Sequence, residues 1–344
     1  MAVLYIFNPE HDIALAANLS NFTSPHAGRQ LRHDLGYLPA IWAESDDYVL
    51  VEDVEEAQTA FIRLMHRPFE GFVDKHTLVR LDIDSIEPWG WDLALRSFLI
   101  RYGVKAVPSE ENIAEIRDLS HRKHAISLLQ ALQTDGTTGE SWKANSLEGV
   151  GDLLRKHPHL VVKAPWSSSG RGLRFIDGVM NDYQERWISN VIARQGSVIV
   201  EPYYYKVEDF GMEFESGGRG QVQYLGLSLF HTQNGAYTGN VLASEKEKRE
   251  RIGQYLSVDL LDSVQQMLCQ LLGHLFKDKY KGPLGVDMMV VNRDDKNGFL
   301  LHPCVEINLR RTMGHVALRL SDVCKSAREM YIEYRGSHYI LDVR

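Results

Sequence analysis

Cysteine is scarce in this chain. Cys269, Cys304 and Cys324 are the only three among 344 residues, odd in number, far apart and without a CxxC pair. That spacing excludes a disulfide framework and a zinc knuckle as organising devices. Positive charge is also short: 38 Lys and Arg face 46 Asp and Glu, for a net charge of −8. Broad capture of nucleic acid needs the opposite balance, although a small anion in a locally basic pocket stays open. No uncharged run approaches the length needed to cross a bilayer. The apolar opening, Met1 to Phe7, lacks a basic leader and runs straight into Asn8-Pro9-Glu10-His11. It reads as a first core strand rather than a secretion signal, and the expected location is the cytoplasm. Internal repeats and low-complexity tracts are missing. So are the two commonest phosphate-loop patterns, GxxxxGK[ST] and a strand–GxGxxG–helix unit.

What is present is an ordinary globular composition, 44% apolar and 24% charged, in a chain long enough for two or three packed units. Val3 to Phe7 is a buried-strand run, and the polar loop Asn8-Pro9-Glu10-His11-Asp12 leads into the helix-prone Ile13 to Ala17. A strand, a loop and a helix in that order predict an open α/β unit with ligands gathering at the loop edge. Further expectations are strands at 48–51 and 104–107, and helices at 93–102, 110–119 and 120–132. Ser109 can cap the second of these helices, although Asn112 stands where a full capping box wants a longer side chain. The Thr/Gly-rich stretch 134–139 marks a boundary. Beyond it, helices at 147–156 and 183–193 and strands at 160–164, 173–176 and 197–200 predict a compact α+β unit. The remainder alternates strands at 221–230, 285–291 and 299–307 with helices at 256–276 and 320–334. The domain expectation is therefore 1–108 as an N-terminal α/β unit, 109–134 as a helical connection, 135–204 as a small α+β unit, and 205–344 as a larger one.

The most informative stretch is Val161-Val162-Lys163-Ala164-Pro165-Trp166-Ser167-Ser168-Ser169-Gly170-Arg171-Gly172. A strand delivers a lysine, a point cation, and a flexible hydroxyl-rich loop follows whose backbone N–H groups can fold over phosphate oxygens. An exposed Ser/Gly turn after a buried strand is the bland alternative. Downstream, Val198-Ile199-Val200-Glu201-Pro202-Tyr203-Tyr204-Tyr205 can offer an extended backbone and aromatic faces to a purine, or be a strand end with core tyrosines. Gly285-Val286-Asp287-Met288-Met289 embeds one carboxylate in an apolar strand, where it needs a cation, a hydrogen-bond partner or solvent. In Cys304-Val305-Glu306-Ile307-Asn308, Glu306 and Asn308 share a strand face. Oxygens of Asp287, Glu306 and Asn308 converging from two strands suit Mg²⁺, which keeps some water and shares phosphate oxygens. The alternative is a satisfied polar face paired with Arg310 or Arg311.

In this order the four pieces resemble the ATP-grasp superfamily, over about residues 105 to 320, with Glu306-Ile307-Asn308 as the most specific part. The resemblance implies an N-terminal open α/β (pre-ATP-grasp) domain and two α+β subdomains that clamp ATP. The implied cofactors are ATP with Mg²⁺ or Mn²⁺. The implied activity is a ligase that joins a small carboxylate, such as an amino acid, to an amine through an acyl phosphate. A small-molecule kinase that stops at phosphoryl transfer, or a non-catalytic ATP-binding protein, is the alternative. By the same resemblance Lys163 and Lys123 contact phosphates, with Arg122 as a register-shifted neighbour, and Ser168, Ser169 and Gly170 cover them. Glu201, Tyr203 and Tyr204 form the adenine hinge, Asp209 (or Glu208) holds the ribose, and Asp287, Glu306 and Asn308 hold the metal. Some amino-acid ligases of the family carry an arginine where this chain has Gly285, so Arg310 and Arg311 are the candidates for gripping a carboxylate or acyl phosphate. Glu10, His11, Asp12 and Arg29 are candidates for contacting the acceptor, Asp12 equally for capping its helix. The loop 231–240 either closes over the site or is a plain hairpin turn. Expected partners are ATP and small carboxylate and amine substrates, not nucleic acid or membrane, with room for a homodimer.

Overall fold

The computed structural model describes residues 2–167, 172–233, 236–293, 298–324 and 328–344. The chain opens with β1 (Val3–Ile6), α1 (His11–Ala17), α2 (His26–Leu35), β2 (Tyr48–Leu50), α3 (Val54–Met65), β3 (Phe72–Val73), β4 (Ser85–Pro88) and α4 (Leu93–Arg101). Its four strands are all parallel, in the order β3-β2-β1-β4. Strand alternation sends Leu4 and Ile6 to a core with Ile86, Leu95 and Leu99, and Tyr5 and Phe7 to a second core on the other face. Because β2 and β4 flank β1 on opposite sides, the loops after β1 and β4 leave from one edge at a topological switch point. The strand expected at 104–107 is not formed. Val104 is buried, but the segment runs as an extended connection up to Pro108.

Two helices follow, α5 (Glu110–Leu119) and α6 (Lys123–Ala131). A small unit then comprises β5 (Trp142–Ala144), α7 (Leu147–Lys156), β6 (His159–Lys163), β7 (Leu173–Asp177), α8 (Asp182–Gln195) and β8 (Val198–Pro202). Its antiparallel sheet has the order β5-β8-β6-β7. Val150, Leu154, Leu160, Val162, Ile188, Val198 and Val200 form its core. Side-chain caps at Ser109, Ser146 and Asn181 start α5, α7 and α8, each contributing about 1 kcal/mol. At Ser109 the hydroxyl accepts from the Asn112 N–H at 3.2 Å.

The largest sheet is built from β9 (Lys206–Gly218), β10 (Gln221–Gln233), β11 (Ala236–Val241), β12 (Gly282–Asn292), β13 (Phe299–Asn308), β14 (Glu329–Arg335) and β15 (His338–Val343). Helices α9 (Glu245–Ile252), α10 (Val258–Phe276) and α11 (Met313–Val323) intervene. Strand order is β13-β12-β9-β10-β11-β14-β15, antiparallel throughout. Leu261, Val264, Leu268, Leu272 and Phe276 recur at helical spacing and bury α10 against Phe210, Met212 and Phe214 of β9. Alternation then turns Gly211, Glu213 and Glu215 to the opposite face of that sheet.

The helix expected over 320–334 is a correction. It ends at Val323, and Glu329 to Arg335 pairs with β11 and β15 as a strand. Met330 and Leu341 of this last hairpin share a core with Tyr5 and Phe7. Asp34 of α2 accepts from the Tyr339 N–H at 2.7 Å and lies 2.9 Å from His338 Nδ1. The end of the chain thus packs on the opening sheet. No helix among the described residues is long and apolar enough to cross a membrane. Truncating Leu268, which is fully buried under the large sheet, to alanine should cost about 2–5 kcal/mol, read as a lower urea midpoint at unchanged slope.

Candidate active site

Register assembles the acidic residues. Asp287 of β12 stands opposite Glu306 of β13 on one side and Gly211 of β9 on the other, while Gly285 stands between Asn308 and Glu213. Asp287, Glu306 and Asn308 therefore share a face. Burial, then the neighbouring Glu306, pushes the Asp287 carboxyl up to about 7, against the pull of a hydrogen bond with Asn308 and the charge of Arg310. The donor set at this face, two carboxylates and an amide, is hard oxygen throughout, and a second carboxylate beside the buried Asp287 suits a cation. Among the described residues no three His, Cys, Asp or Glu side chains gather as a metal cage, so any ion here would complete its shell with other oxygens.

The cationic side is tied to this face by a residue from the start of α6. Arg122, 6% exposed, donates from Nη1 to the Ala164 carbonyl at 2.5 Å and Ser167 Oγ at 2.8 Å, and from Nη2 to Glu306 Oε1 at 2.6 Å. One guanidinium thus joins the segment after Lys163 to the carboxylate pair. Lys123, the other candidate in this register, pairs its ammonium with Asp118 of α5. Lys163 itself ends β6 and pairs with Glu201 of β8 at 2.5 Å, both side chains more than nine-tenths buried. Ser141 Oγ donates to the other oxygen of Glu201 at 3.3 Å. The two groups of charges adjoin, since the thiol of Cys304, pushed up first by burial, is also raised by Glu201, Asp287 and Glu306 and lowered by Lys163. Ser168, Ser169 and Gly170 lie outside the described residues.

The remaining candidates divide. Tyr203 is exposed, while Tyr204 is half-buried, with its hydroxyl accepting from the Glu140 N–H at 2.9 Å. Asp209 pairs with Lys206 and accepts from Thr232 Oγ1 at 3.0 Å, whereas Glu208 is taken up by Arg251 at 2.8 Å. Arg310 lies beside the acidic trio, donating to Asn308 Oδ1 at 3.0 Å and pairing with Asp12 at 2.9 Å. Arg311 is elsewhere, 3.2 Å from Glu87 and stacked on the Trp42 ring at 4.6 Å, in the packing between the large sheet and the opening unit. Asp12 contacts Arg310, and the side chain of Glu10 gives Arg32 one oxygen at 2.6 Å. His11 packs its ring on Gly90, and Arg29 donates to the Ser24 carbonyl. Within 231–240, β10 and β11 pair antiparallel, and residues 234 and 235 lie outside the described residues.

Sequence reasoning missed Glu213. It is 3% exposed, and burial first, then Asp287, pushes its carboxyl up to about 8 against hydrogen bonds from Thr312 and Ser228. Thr312 Oγ1 donates to it at 2.8 Å, and His315 Nδ1 lies 3.1 Å away. The His315 ring is held neutral by burial. Its Nδ1 accepts from the Thr312 N–H at 3.1 Å and Nε2 faces the Phe214 carbonyl at 3.2 Å, which fixes the Nε2–H tautomer. A Cβ on Gly285 would lie 2.6 Å from Glu213 Oε2, and one on Gly314 would overlap Oε1. Gly285, where some amino-acid ligases carry arginine, is thus glycine because Glu213 fills that space. The signal was available: Phe210-Gly211-Met212-Glu213-Phe214 alternates as a strand whose second face carries only a glycine and a carboxylate.

No protein-family model matches the sequence, and no curated protein matches it either. Solved structures do match in shape. The biotin carboxylase of Campylobacter jejuni, solved with an ATP ligand, is 13% identical over 93% of this chain and 67% of its own, with a TM-score of 0.55. The biotin carboxylase domain of the Hydrogenobacter thermophilus 2-oxoglutarate carboxylase is 12% identical over 95% and 70%, TM-score 0.52. N5-carboxyaminoimidazole synthetase of Staphylococcus aureus is 12% identical over 91% and 71%, TM-score 0.51. The chain has the ATP-grasp fold.

A carboxyl raised from 4.5 to about 8 binds a proton in the folded state that the unfolded chain has released. Stability should therefore fall as pH rises from about 5 to 8. In chelator-treated protein the melting temperature should drop across that window. E213Q should flatten the drop, and an unaltered slope would refute the assignment. Gly314→Ala should cost about 1–3 kcal/mol, with less loss when combined with Glu213→Ala, as read by a double-mutant cycle.

Proposed function

We propose that this protein is an ATP- and Mg²⁺-dependent ligase that activates a small carboxylate as an acyl phosphate and transfers it to an amine. The single observation that carries this reading is Arg122, whose guanidinium touches both the segment following Lys163 and Glu306 of the acidic trio. Cations fit for phosphate and oxygens fit for a divalent metal thus meet at one place. Structures of this fold support the nucleotide: the Staphylococcus aureus synthetase was solved with ADP, and the Hydrogenobacter thermophilus domain with MgADP and bicarbonate.

In this reading Lys163 and Arg122 hold the phosphates, Arg122 taking the part first assigned to Lys123. The segment Glu201 to Tyr204 receives the base and Asp209 the ribose. Asp287, Glu306 and Asn308 would hold Mg²⁺, which when bound neutralises charge developing on the transferred phosphoryl group. Arg310, fixed between Asn308 and Asp12, presents a planar fork suited to the substrate carboxylate. Asp12 links that fork to the loop after β1, so the acceptor would sit where loop 8–12 meets the acidic face. Arg311, engaged with Glu87 and Trp42, holds the two units in register. The protein's work is positioning and charge compensation.

The test is ADP formation across a panel of amino acids and small carboxylates, with and without added amine, followed by mass analysis of the product. A ligase forms an amide and releases inorganic phosphate only when amine is present. A stable phosphorylated product formed without amine would make it a kinase. Asp287→Asn and Glu306→Gln should each lower turnover by about 100-fold or more with an unchanged far-ultraviolet dichroism spectrum. Full activity in both would remove the metal assignment.

A further inference from the structure

His302 is the most isolated polar group on the site face. It sits on β13 with Cys304, Glu306 and Asn308 at successive alternate positions, and stands opposite Met289 of β12. The side chain is fully buried, and among the described residues neither ring nitrogen has a hydrogen-bond partner. Burial, then the charge of Lys163, pushes its pKa down to about 3, so the imidazole is neutral at any working pH. It carries one donor and one acceptor. A buried donor and acceptor left unpaired are unfavourable, and such an exception in a folded protein calls for an explanation.

What covers the ring supplies one. Tyr204 meets it edge-on, with ring centroids 5.3 Å apart. Gly139 passes so close that a Cβ there would lie 2.8 Å from Nε2, in a backbone conformation with φ of +131°. Tyr204 and Gly139 are on the two segments by which the chain leaves and enters the small β5–β8 subdomain, and the Glu140 N–H joins them through the Tyr204 hydroxyl. The cover over His302 is therefore made of the connections that any movement of the small subdomain must displace. Lys163 and Glu201 flank the same spot from that subdomain.

We propose that His302 is a nucleobase-contacting residue, whose unpaired imidazole hydrogen-bonds the base edge once the two connections part to admit a nucleotide. This rests on the nucleotide reading above and extends it to a residue outside the hinge strand and outside the metal trio. The contact is specific to the base, so ligands that carry phosphates without a base do not use it.

The test uses the full chain with two probes, Mg·ADP and Mg·tripolyphosphate, titrated calorimetrically into wild type and His302→Leu. The expected result is an about tenfold or greater loss of affinity for Mg·ADP and none for Mg·tripolyphosphate. Equal loss on both probes, or no loss on either, overturns the proposal. Should His302→Leu fail to fold, nitrogen-15 spectra of the wild-type imidazoles decide: saturating Mg·ADP should move a His302 ring nitrogen into the hydrogen-bonded range while Mg·tripolyphosphate leaves it in place. Unmoved signals at saturation overturn the contact alone. Wild type that binds tripolyphosphate but not ADP overturns the contact and the nucleotide reading together.

Discussion

The arrangement depends on one buried guanidinium. Arg122 reaches from the start of α6 to Ala164 and Ser167 of the small subdomain and to Glu306 of the large one. Its hydrogen bonds join the lysine segment to the oxygens of the candidate metal site. Removing Arg122 strands Glu306, whose side chain is 25% exposed, and so costs less than the about 3–5 kcal/mol of a fully buried pair. An apolar pair of the same volume would hold the two subdomains together at least as well. On the proposed reading, the charge at this junction serves what the junction binds rather than how firmly it packs.

The second constraint is steric. Glu213 occupies the volume that side chains at positions 285 and 314 would need, so two glycines on different elements answer to one carboxylate. Thr312 caps α11 and also donates to Glu213, and His315 closes the same ring of contacts. The short segment 309–311 is thereby suspended between a strand end at Asn308 and a helix start pinned at Thr312. That suspension aims consecutive arginines in different directions, Arg310 toward Asp12 and Asn308 and Arg311 toward Glu87 and Trp42. From adjacency alone they look interchangeable. Their separation follows from the packing on either side.

Much of this was legible in residues with local physics. The strand lysine, the Glu-x-Asn alternation and the lone Asp287 in an apolar run each carry their chemistry in their immediate neighbours. The four pieces also occur in the order that the fold requires. What was not legible depends on residues distant in sequence. Between Arg122 and Lys123 only a partner 184 residues away decides, and the solvent-side Asp118 claims the lysine. β9 is hard to read in sequence because its charged start, Lys206-Val207-Glu208-Asp209, its Gly217-Gly218 end and its Gly211–Glu213 face dilute the apolar alternation, and Glu213 is hidden with it. The C-terminal strand was taken for a helix because Met330, Tyr331, Ile332 and Tyr334 form a strand only through pairing with β11 and β15.

The pairing of charges across the site explains why nucleotide and metal would act together. Arg122 pairs with Glu306, Lys163 with Glu201, and Arg310 with Asp12. A phosphate that drew Arg122 away would leave Glu306 beside Asp287 without that guanidinium, where burial and then Glu306 already lift Asp287 to about 7. A metal ion that drew Glu306 away would leave the Arg122 guanidinium buried without its anion. Either ligand alone exchanges one satisfied pair for one stranded charge, which is unfavourable in a low-dielectric site. A triphosphate and a divalent cation arriving together replace both partners at once. On the proposed reading, coupling between the two ligands is a property of charges already balanced before either binds.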